Sequence, residues 1–238
     1  MVDDKMLLWP GGPVFRQSPQ IPLGTDSVLL ADFAAAGRSA CGADLGCGSG
    51  ILSLLLLWGD EALRMTGLEL QEQAAALARE NLAANGLSGR GDVLCGDIRE
   101  VRALFPAGGF DLVVSNPPYF PSGSGARSPD PVRAAAREEG GCTLEELCGA
   151  AAWLLRSGGR FCVVHRPERL SELLVAMTAA GLEPKRLRLC CHRPGAAPNL
   201  LLAEGRRGGK PGLRIEPALF LCEEDGRESA EYRRIYHR

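Results

Sequence analysis

The chain has 238 residues, a formal net charge of −2 and a hydrophobic fraction of 45%, enough for one large domain or two small ones with a packed core. Its longest apolar run, Ile51 to Trp58, is broken by Ser53 and falls far short of the roughly 20 residues that a membrane-spanning helix needs. The opening Met1-Val2-Asp3-Asp4-Lys5 carries two acids where a secretory signal would carry bases, so a cytoplasmic protein with no membrane partner is expected. The nine cysteines are irregularly spaced without a Cys-x-x-Cys pair, and the histidines are His165, His192 and His237 alone. That pattern reads as small core residues, with neither a disulfide framework nor a metal site expected.

From residue 40 onward, strand-like runs alternate with helix-like segments. Ala40–Asp44 reads as a first strand ending in an acid, Gly46–Gly50 as a glycine loop, and Ile51–Trp58 as the start of a helix. Leu63–Leu70 is a second strand. Gln71–Asn85 is an alanine-rich helix with Ala74, Leu77, Ala78 and Leu82 on one face, and Asn85-Gly86 stops it. Asp92–Cys95 and Phe110–Ser115 are the third and fourth strands. Thr143–Arg156 is a helix opened by a capping box of Thr143 and Glu146. Phe161–His165 is the fifth strand and Pro167–Ala180 a helix ended by Gly181. Lys185–Cys191 and Asn199–Glu204 complete seven strands.

This alternation predicts an α/β fold: a mostly parallel, Rossmann-like, seven-stranded sheet with helices on both faces. Such sheets bind ligands beyond the carboxyl ends of their strands, which are here Asp44–Gly50, Glu69, Asp97 and Ser115–Phe120. Between Pro184 and Arg214 stand Lys185, Arg186, Arg188, Arg193, Arg206, Arg207, Lys210 and Arg214 against a single acid, Glu204. That local excess of base is expected to contact nucleic-acid phosphates, unless it is only a solvated face.

The loop Asp44-Leu45-Gly46-Cys47-Gly48-Ser49-Gly50 joins a strand to a helix. Gly46, Gly48 and Gly50 let the backbone turn sharply and approach a ligand. A glycine turn by itself is shared with nucleotide and flavin sites, and its partners narrow the choice. Glu69, followed by Leu70, ends the second strand, where an acid can accept from both hydroxyls of a ribose. Asp97, followed by Ile98, can accept from an adenine amino group. Asp44 suits a ligand carrying an ammonium and a sulfonium, and suits a pyrophosphate poorly.

After the fourth strand comes Ser115-Asn116-Pro117-Pro118-Tyr119-Phe120. An exocyclic amine is a poor nucleophile because its lone pair is delocalised into the ring. Two acceptors on its N–H groups, the Asn116 side-chain oxygen and the Pro117 carbonyl, can favour a tetrahedral nitrogen and aim a lone pair at an electrophilic methyl. Pro117 and Pro118 stiffen the turn, and Tyr119 offers an aromatic face to an extruded base. The same turn would serve adenine in DNA, adenine in RNA or a protein glutamine amide.

Together these residues resemble the motifs of class I S-adenosylmethionine-dependent methyltransferases, with the Asn-Pro-Pro-Tyr turn of those that methylate amino groups. Further segments extend the resemblance: Gly24-Thr25-Asp26-Ser27-Val28-Leu29-Leu30-Ala31, Ala136-Arg137-Glu138-Glu139, Val164-His165-Arg166-Pro167-Glu168-Arg169-Leu170, Leu201-Leu202-Ala203-Glu204-Gly205 and Gly208-Gly209-Lys210-Pro211-Gly212-Leu213. From about Gln17 to Leu221 the chain resembles the tRNA(Val) adenine-N6 methyltransferase family. The resemblance implies S-adenosyl-L-methionine as cofactor, held by Thr25, Asp26, Asp44, Gly46, Gly48, Gly50, Glu69, Leu70, Asp97, Ile98 and Asn116. It implies catalysis by Asn116, Pro117, Pro118 and Tyr119, on the adenosine 3′ of the anticodon. Tyr119, Phe120, Arg137, Arg206, Arg207 and Lys210 are expected to meet the tRNA. Residues 1–38 are expected to pack on the cofactor site as an extension of a domain over 39–238. Glu138-Glu139-Gly140-Gly141 departs from the family's pattern, as does the richness of Pro121–Pro131 in Gly, Ser and Pro. Protein-glutamine methyltransferases carry a helical domain before the glycine loop, whereas 43 residues precede Asp44 here. A non-catalytic RNA-binding subunit is expected to have lost the Asn or the glycine loop, and both are intact.

Overall fold

The computed structural model describes residues 5–17, 23–37, 39–117 and 142–237. Two short strands, β1 (Lys5–Leu7) and β2 (Val14–Arg16), pair antiparallel and precede helix α1 (Thr25–Ala35). There follow β3 (Cys41–Leu45), α2 (Ile51–Gly59), β4 (Arg64–Glu69), α3 (Glu72–Ala84), β5 (Gly91–Cys95), α4 (Val101–Leu104) and β6 (Phe110–Ser115). The later part holds α5 (Leu144–Leu154), β7 (Leu155–His165), α6 (Leu170–Ala179), β8 (Leu182–Cys191), β9 (Pro198–Arg207), β10 (Arg214–Ile215), β11 (Leu219–Phe220) and α7 (Ala230–Ile235).

The principal strands lie in the order β8-β9-β7-β6-β3-β4-β5, all parallel except β9, which runs against both of its neighbours. These are the seven expected strands. The two-residue strands β10 and β11 extend the sheet by pairing with the outer edge of β8. The chain reverses its direction of winding between β3 and β6, and a crevice opens at such a switch point beyond the strand ends.

Alternation along the strands divides the core into two layers. Leu112 and Val114 of β6 face one apolar cluster, built with α1, α2 and α3. Val113 faces the other, built with α5 and α6. Helix α1 is buried almost all round: Ser27, Val28, Leu29, Leu30, Ala31, Phe33 and Ala34 are all covered. It therefore lacks the one-sided apolar stripe by which a surface helix is read from sequence.

A group of buried charges pins the end of α1 to the sheet. Arg160 on β7 donates to the carbonyls of Ala34 and Gly37, and its guanidinium meets Glu204 on β9 at 3.3 Å. Arg186 on β8 approaches the same Glu204 oxygen at 2.8 Å and lies over the Phe33 ring. At the chain's start, Asn85 and Asn81 of α3 grip the backbone of β2. Asn85 exchanges two hydrogen bonds with Val14, and Asn81 does the same with Arg16. Two side-chain amides four residues apart on a helix thus take the place of a neighbouring strand.

The capping box of Thr143 and Glu146 forms as expected, with both reciprocal bonds present. The helix it opens ends two residues early, because Leu155 adopts an extended backbone and enters β7 directly. No helix among the described residues is long and apolar enough to cross a membrane. Among those residues, no group of three or more His, Cys, Asp or Glu could hold a metal ion.

Candidate active site

The glycine loop between β3 and α2 turns through three left-handed glycines, Gly46 (φ 70°), Gly48 (φ 54°) and Gly50 (φ 81°), a backbone region that side chains with a Cβ rarely adopt. At Gly50 a Cβ would also stand 2.9 Å from that of Ala78 on α3, so the loop is pressed against its neighbouring helix. Glu69, at the end of β4, clamps this loop: its carboxylate accepts from Gly48 N at 2.8 Å and from Gln71 N at 3.0 Å. A carboxylate has about four acceptor positions, so those two bonds leave capacity for two hydroxyls. Asn81 holds the loop from the other side, donating to the Ser49 carbonyl at 2.9 Å.

Asp44 is buried at 1% exposure. Ser53, in the first turn of α2, donates to one of its oxygens from both N and Oγ, at 3.2 and 2.8 Å. Burial pushes the Asp44 carboxyl up to about 7; the Ser53 bonds pull against this and the neighbouring Glu69 charge adds to it. The buried Asp44 carboxyl and the nearby Glu69, beside a glycine turn, fit a cationic ligand such as a sulfonium and fit a pyrophosphate poorly. Asp97 follows β5, whose end is tied to Glu69 by Gly96 N donating to the Glu69 carbonyl. Arg99 grips the Asp97 carboxylate through Nε and Nη2 and holds it below its usual pKa. Ile98 comes within 3.9 Å of the position a Cβ on Gly46 would take, and Leu70 is 42% exposed. Glu69, Leu70, Asp97 and Ile98 are thereby brought to one side of the glycine turn.

Across the switch point, the Ser115 hydroxyl donates to the Leu45 carbonyl at 2.8 Å. That buried bond joins the residue before Gly46 to the residue before Asn116, placing the glycine loop beside the Asn-Pro turn. Asn116 Nδ2 donates to Ser27 Oγ on α1 at 2.9 Å. The first turn of α1, with Thr25 and Asp26, is therefore adjacent to Asn116. Sequence reasoning gave no role to Ser27, Ser53, Asn81 or Arg99; Ser27 and Asn81 act through contacts with positions far away in sequence, and Ser53 and Arg99 through side-chain bonds to nearby acids that no motif marks. Pro118, Tyr119, Phe120 and Arg137 lie outside the described residues, as does the segment 121–131.

The basic stretch is not a single cationic face. Arg186 pairs with Glu204 and Glu216, Arg188 with Glu231, and Arg214 with Glu216. Two of those three acids lie beyond the stretch in sequence. Arg206, Arg207 and Lys210 are set apart from the crevice. Because β9 runs antiparallel to β7, Arg206 stands opposite Arg160, while Leu201 stands opposite His165 at the crevice end. Arg207 donates to the Ala152 carbonyl on α5, at the far end of the sheet. Bases at the crevice end include Arg166, directly after β7, and Arg193, in the turn between β8 and β9; both are exposed.

The methyltransferase small domain family model matches residues 20–178. A tRNA1(Val) (adenine(37)-N6)-methyltransferase from Porphyromonas gingivalis is 36% identical over 223 residues, covering 90% of this chain and 86% of that protein. One from Erwinia tasmaniensis is 32% identical over 239 residues, covering 97% and 95%. Among solved structures, a predicted O-methyltransferase from Agrobacterium tumefaciens superposes with a TM-score of 0.72 over 90% of this chain and 96% of that one, at 24% identity. At that identity the likeness speaks for the class I methyltransferase fold alone.

Proposed function

The chain belongs to the methyltransferase small domain family, among relatives that are tRNA1(Val) (adenine(37)-N6)-methyltransferases, and from that premise we propose how its residues carry the reaction. It is an S-adenosylmethionine-dependent enzyme that methylates N6 of an adenine in tRNA. The adenine is that at position 37 of tRNA(Val), the substrate its relatives' names print. It works in the cytoplasm, where its tRNA substrate is. Residues 1–38 serve as an extension packed on the cofactor side of a domain spanning 39–238; the double grip of Asn81 on Arg16 and Ser49 supports this.

S-adenosylmethionine supplies an electrophilic methyl on a sulfonium. Glu69 accepts from its ribose hydroxyls while bracing Gly48 and Gln71. Asp97 and Ile98 meet the adenine of the cofactor, with Leu70 beside them. Asp44, Thr25 and Asp26 lie toward the methionine end, and Gly46, Gly48 and Gly50 keep the backbone close. Asn116 Oδ1 and the Pro117 carbonyl accept from the target N6 amine. Pyramidalising that nitrogen would free its lone pair to bond the methyl carbon as the carbon–sulfur bond breaks and its electron pair stays on a neutral thioether, and the surplus proton would then leave the cationic nitrogen to solvent. Pro118 stiffens the turn, while Tyr119 and Phe120 stack on the extruded base and Arg137 approaches its backbone. The observation that carries this reading is the Ser115–Leu45 bond, which sets Asn116 beside the glycine loop. Incubation with labelled cofactor should label unmodified tRNA and leave a release-factor glutamine substrate unlabelled; the reverse pattern would replace this reading with protein-glutamine methylation.

Glu69→Ala is expected to weaken S-adenosylmethionine binding by about 1–3 kcal/mol, the cost of leaving buried polar groups unpaired. Isothermal calorimetry reads this directly, and unchanged affinity would remove Glu69 from the site. Because Arg166 and Arg193 stand at the crevice end, Arg193→Glu should weaken tRNA capture more than joint reversal of Arg206, Arg207 and Lys210 to Glu. Filter binding across a salt series measures both, since each lost phosphate contact flattens the salt slope by roughly 0.7–0.9. A larger defect in the triple variant would put the tRNA on the other end of the sheet.

A further inference from the structure

We infer that Ser27 is a positioning residue for methyl transfer: its hydroxyl accepts from Asn116 Nδ2 and so turns Asn116 Oδ1 toward the target amine. This rests on the reading of Asn116 as the acceptor of that amine. Asn116 Nδ2 lies 2.9 Å from Ser27 Oγ, across 89 positions of sequence. Ser27 is buried at 6% exposure, so water is poorly placed to substitute for its hydroxyl. A primary amide presents donors at one end and an acceptor at the other. An amine substrate brings N–H groups that need an acceptor. Ser27 satisfies this when its oxygen takes the amide N–H, because the opposite end of Asn116 is then the carbonyl.

The support behind Ser27 is rigid. Arg160 holds the far end of α1 through the Ala34 and Gly37 carbonyls, and Arg186 lies over Phe33 on the same helix. On the other side, the Ser115–Leu45 bond fixes the end of β6 just before Asn116. The Ser27–Asn116 bond closes the gap between these two anchored elements. A side chain held within a few tenths of an ångström of its productive geometry is what such a supporting bond supplies.

The test is single-turnover methyl transfer at saturating S-adenosylmethionine and tRNA, in four proteins: the parent, Ser27→Ala, Asn116→Ala and the double variant. Ser27→Ala is expected to slow transfer roughly tenfold, the scale of one lost hydrogen bond, while cofactor affinity and the KM for tRNA stay near parental values. In the Asn116→Ala background, Ser27→Ala should cause no further loss, because its role is exercised through that amide. Ser27→Cys keeps the volume with a weak acceptor and should be as slow as Ser27→Ala, which separates the hydrogen bond from a packing defect. Parental rates in the two Ser27 variants, or equal slowing by Ser27→Ala with and without Asn116, would overturn the assignment. A parent protein that fails to methylate tRNA at all would instead overturn the functional reading beneath it.

Discussion

Replacement of Asn116 by alanine is expected to slow methyl transfer by roughly two to three orders of magnitude, the loss seen when a positioned polar group is removed from a transition state. Cofactor binding should survive. Asn116 lies outside the clamp that shapes the glycine loop, which is formed by Glu69, Asn81 and Gly50. The Ser115–Leu45 bond is made by the preceding residue and persists in the variant. Tyr119→Ala should divide its effect differently, since a stacking face contributes about 1–3 kcal/mol per base; part of that loss should appear as weaker tRNA capture. Rapid-quench transfer of labelled methyl, with cofactor affinity measured in parallel, separates the two. An Asn116→Ala protein at near-parental speed would show that the N6 amine needs no acceptor at this position.

Glu204→Ala is expected to lower stability by about 3–5 kcal/mol, the usual consequence of removing one partner from a buried ion pair. One Glu204 oxygen serves two guanidinium groups, those of Arg160 and Arg186. Both arginines are largely covered, with side-chain exposures of 8% and 16%. Arg186 retains Glu216 in the variant, whereas Arg160 keeps, among the described residues, the Ala34 and Gly37 carbonyls and the Ser39 hydroxyl. For a chain of this size, that loss corresponds to a fall in Tm on the order of 10 °C. Thermal unfolding followed by circular dichroism checks it; an unchanged Tm would mean that the two arginines find water or other acceptors. Because these charges pin α1, and α1 carries Ser27 to Asn116, the destabilised protein should also lose activity before it unfolds globally.

Much of the sheet was legible in the sequence, and with it the candidates for the cofactor side of the site. Each of β3, β4, β5 and β6 carries a polar residue at or just past its carboxyl end, so Asp44, Glu69, Asp97 and Asn116 could be named as candidates in chain order. Helix α1 was not legible, because burial on nearly every side erases its periodicity. The β1–β2 hairpin was missed for another reason. Its edge is completed by Asn81 and Asn85, side chains more than sixty positions away, and a side-chain amide leaves no strand pattern. The basic stretch between Lys185 and Arg214 looked like a cationic face because Glu216 and Glu231 lie outside it, yet folding brings both acids onto its arginines. Position along a strand was a further blind spot. An apolar run does not announce its direction, and the reversal of β9 carries Arg206 and Arg207 to the end of the sheet away from the crevice.

The most direct measurement uses two unmodified tRNA(Val) transcripts, one with adenosine and one with guanosine at the position 3′ of the anticodon. Each is incubated with the protein and labelled S-adenosylmethionine, digested to nucleosides and resolved by mass spectrometry. The expected result is N6-methyladenosine from the adenosine transcript, at position 37 when nuclease fragments are mapped, and no methylated nucleoside from the guanosine transcript. Label in N1-methyladenosine, or equal label in both transcripts, would be incompatible with an Asn116-centred transfer to the exocyclic amine of that base.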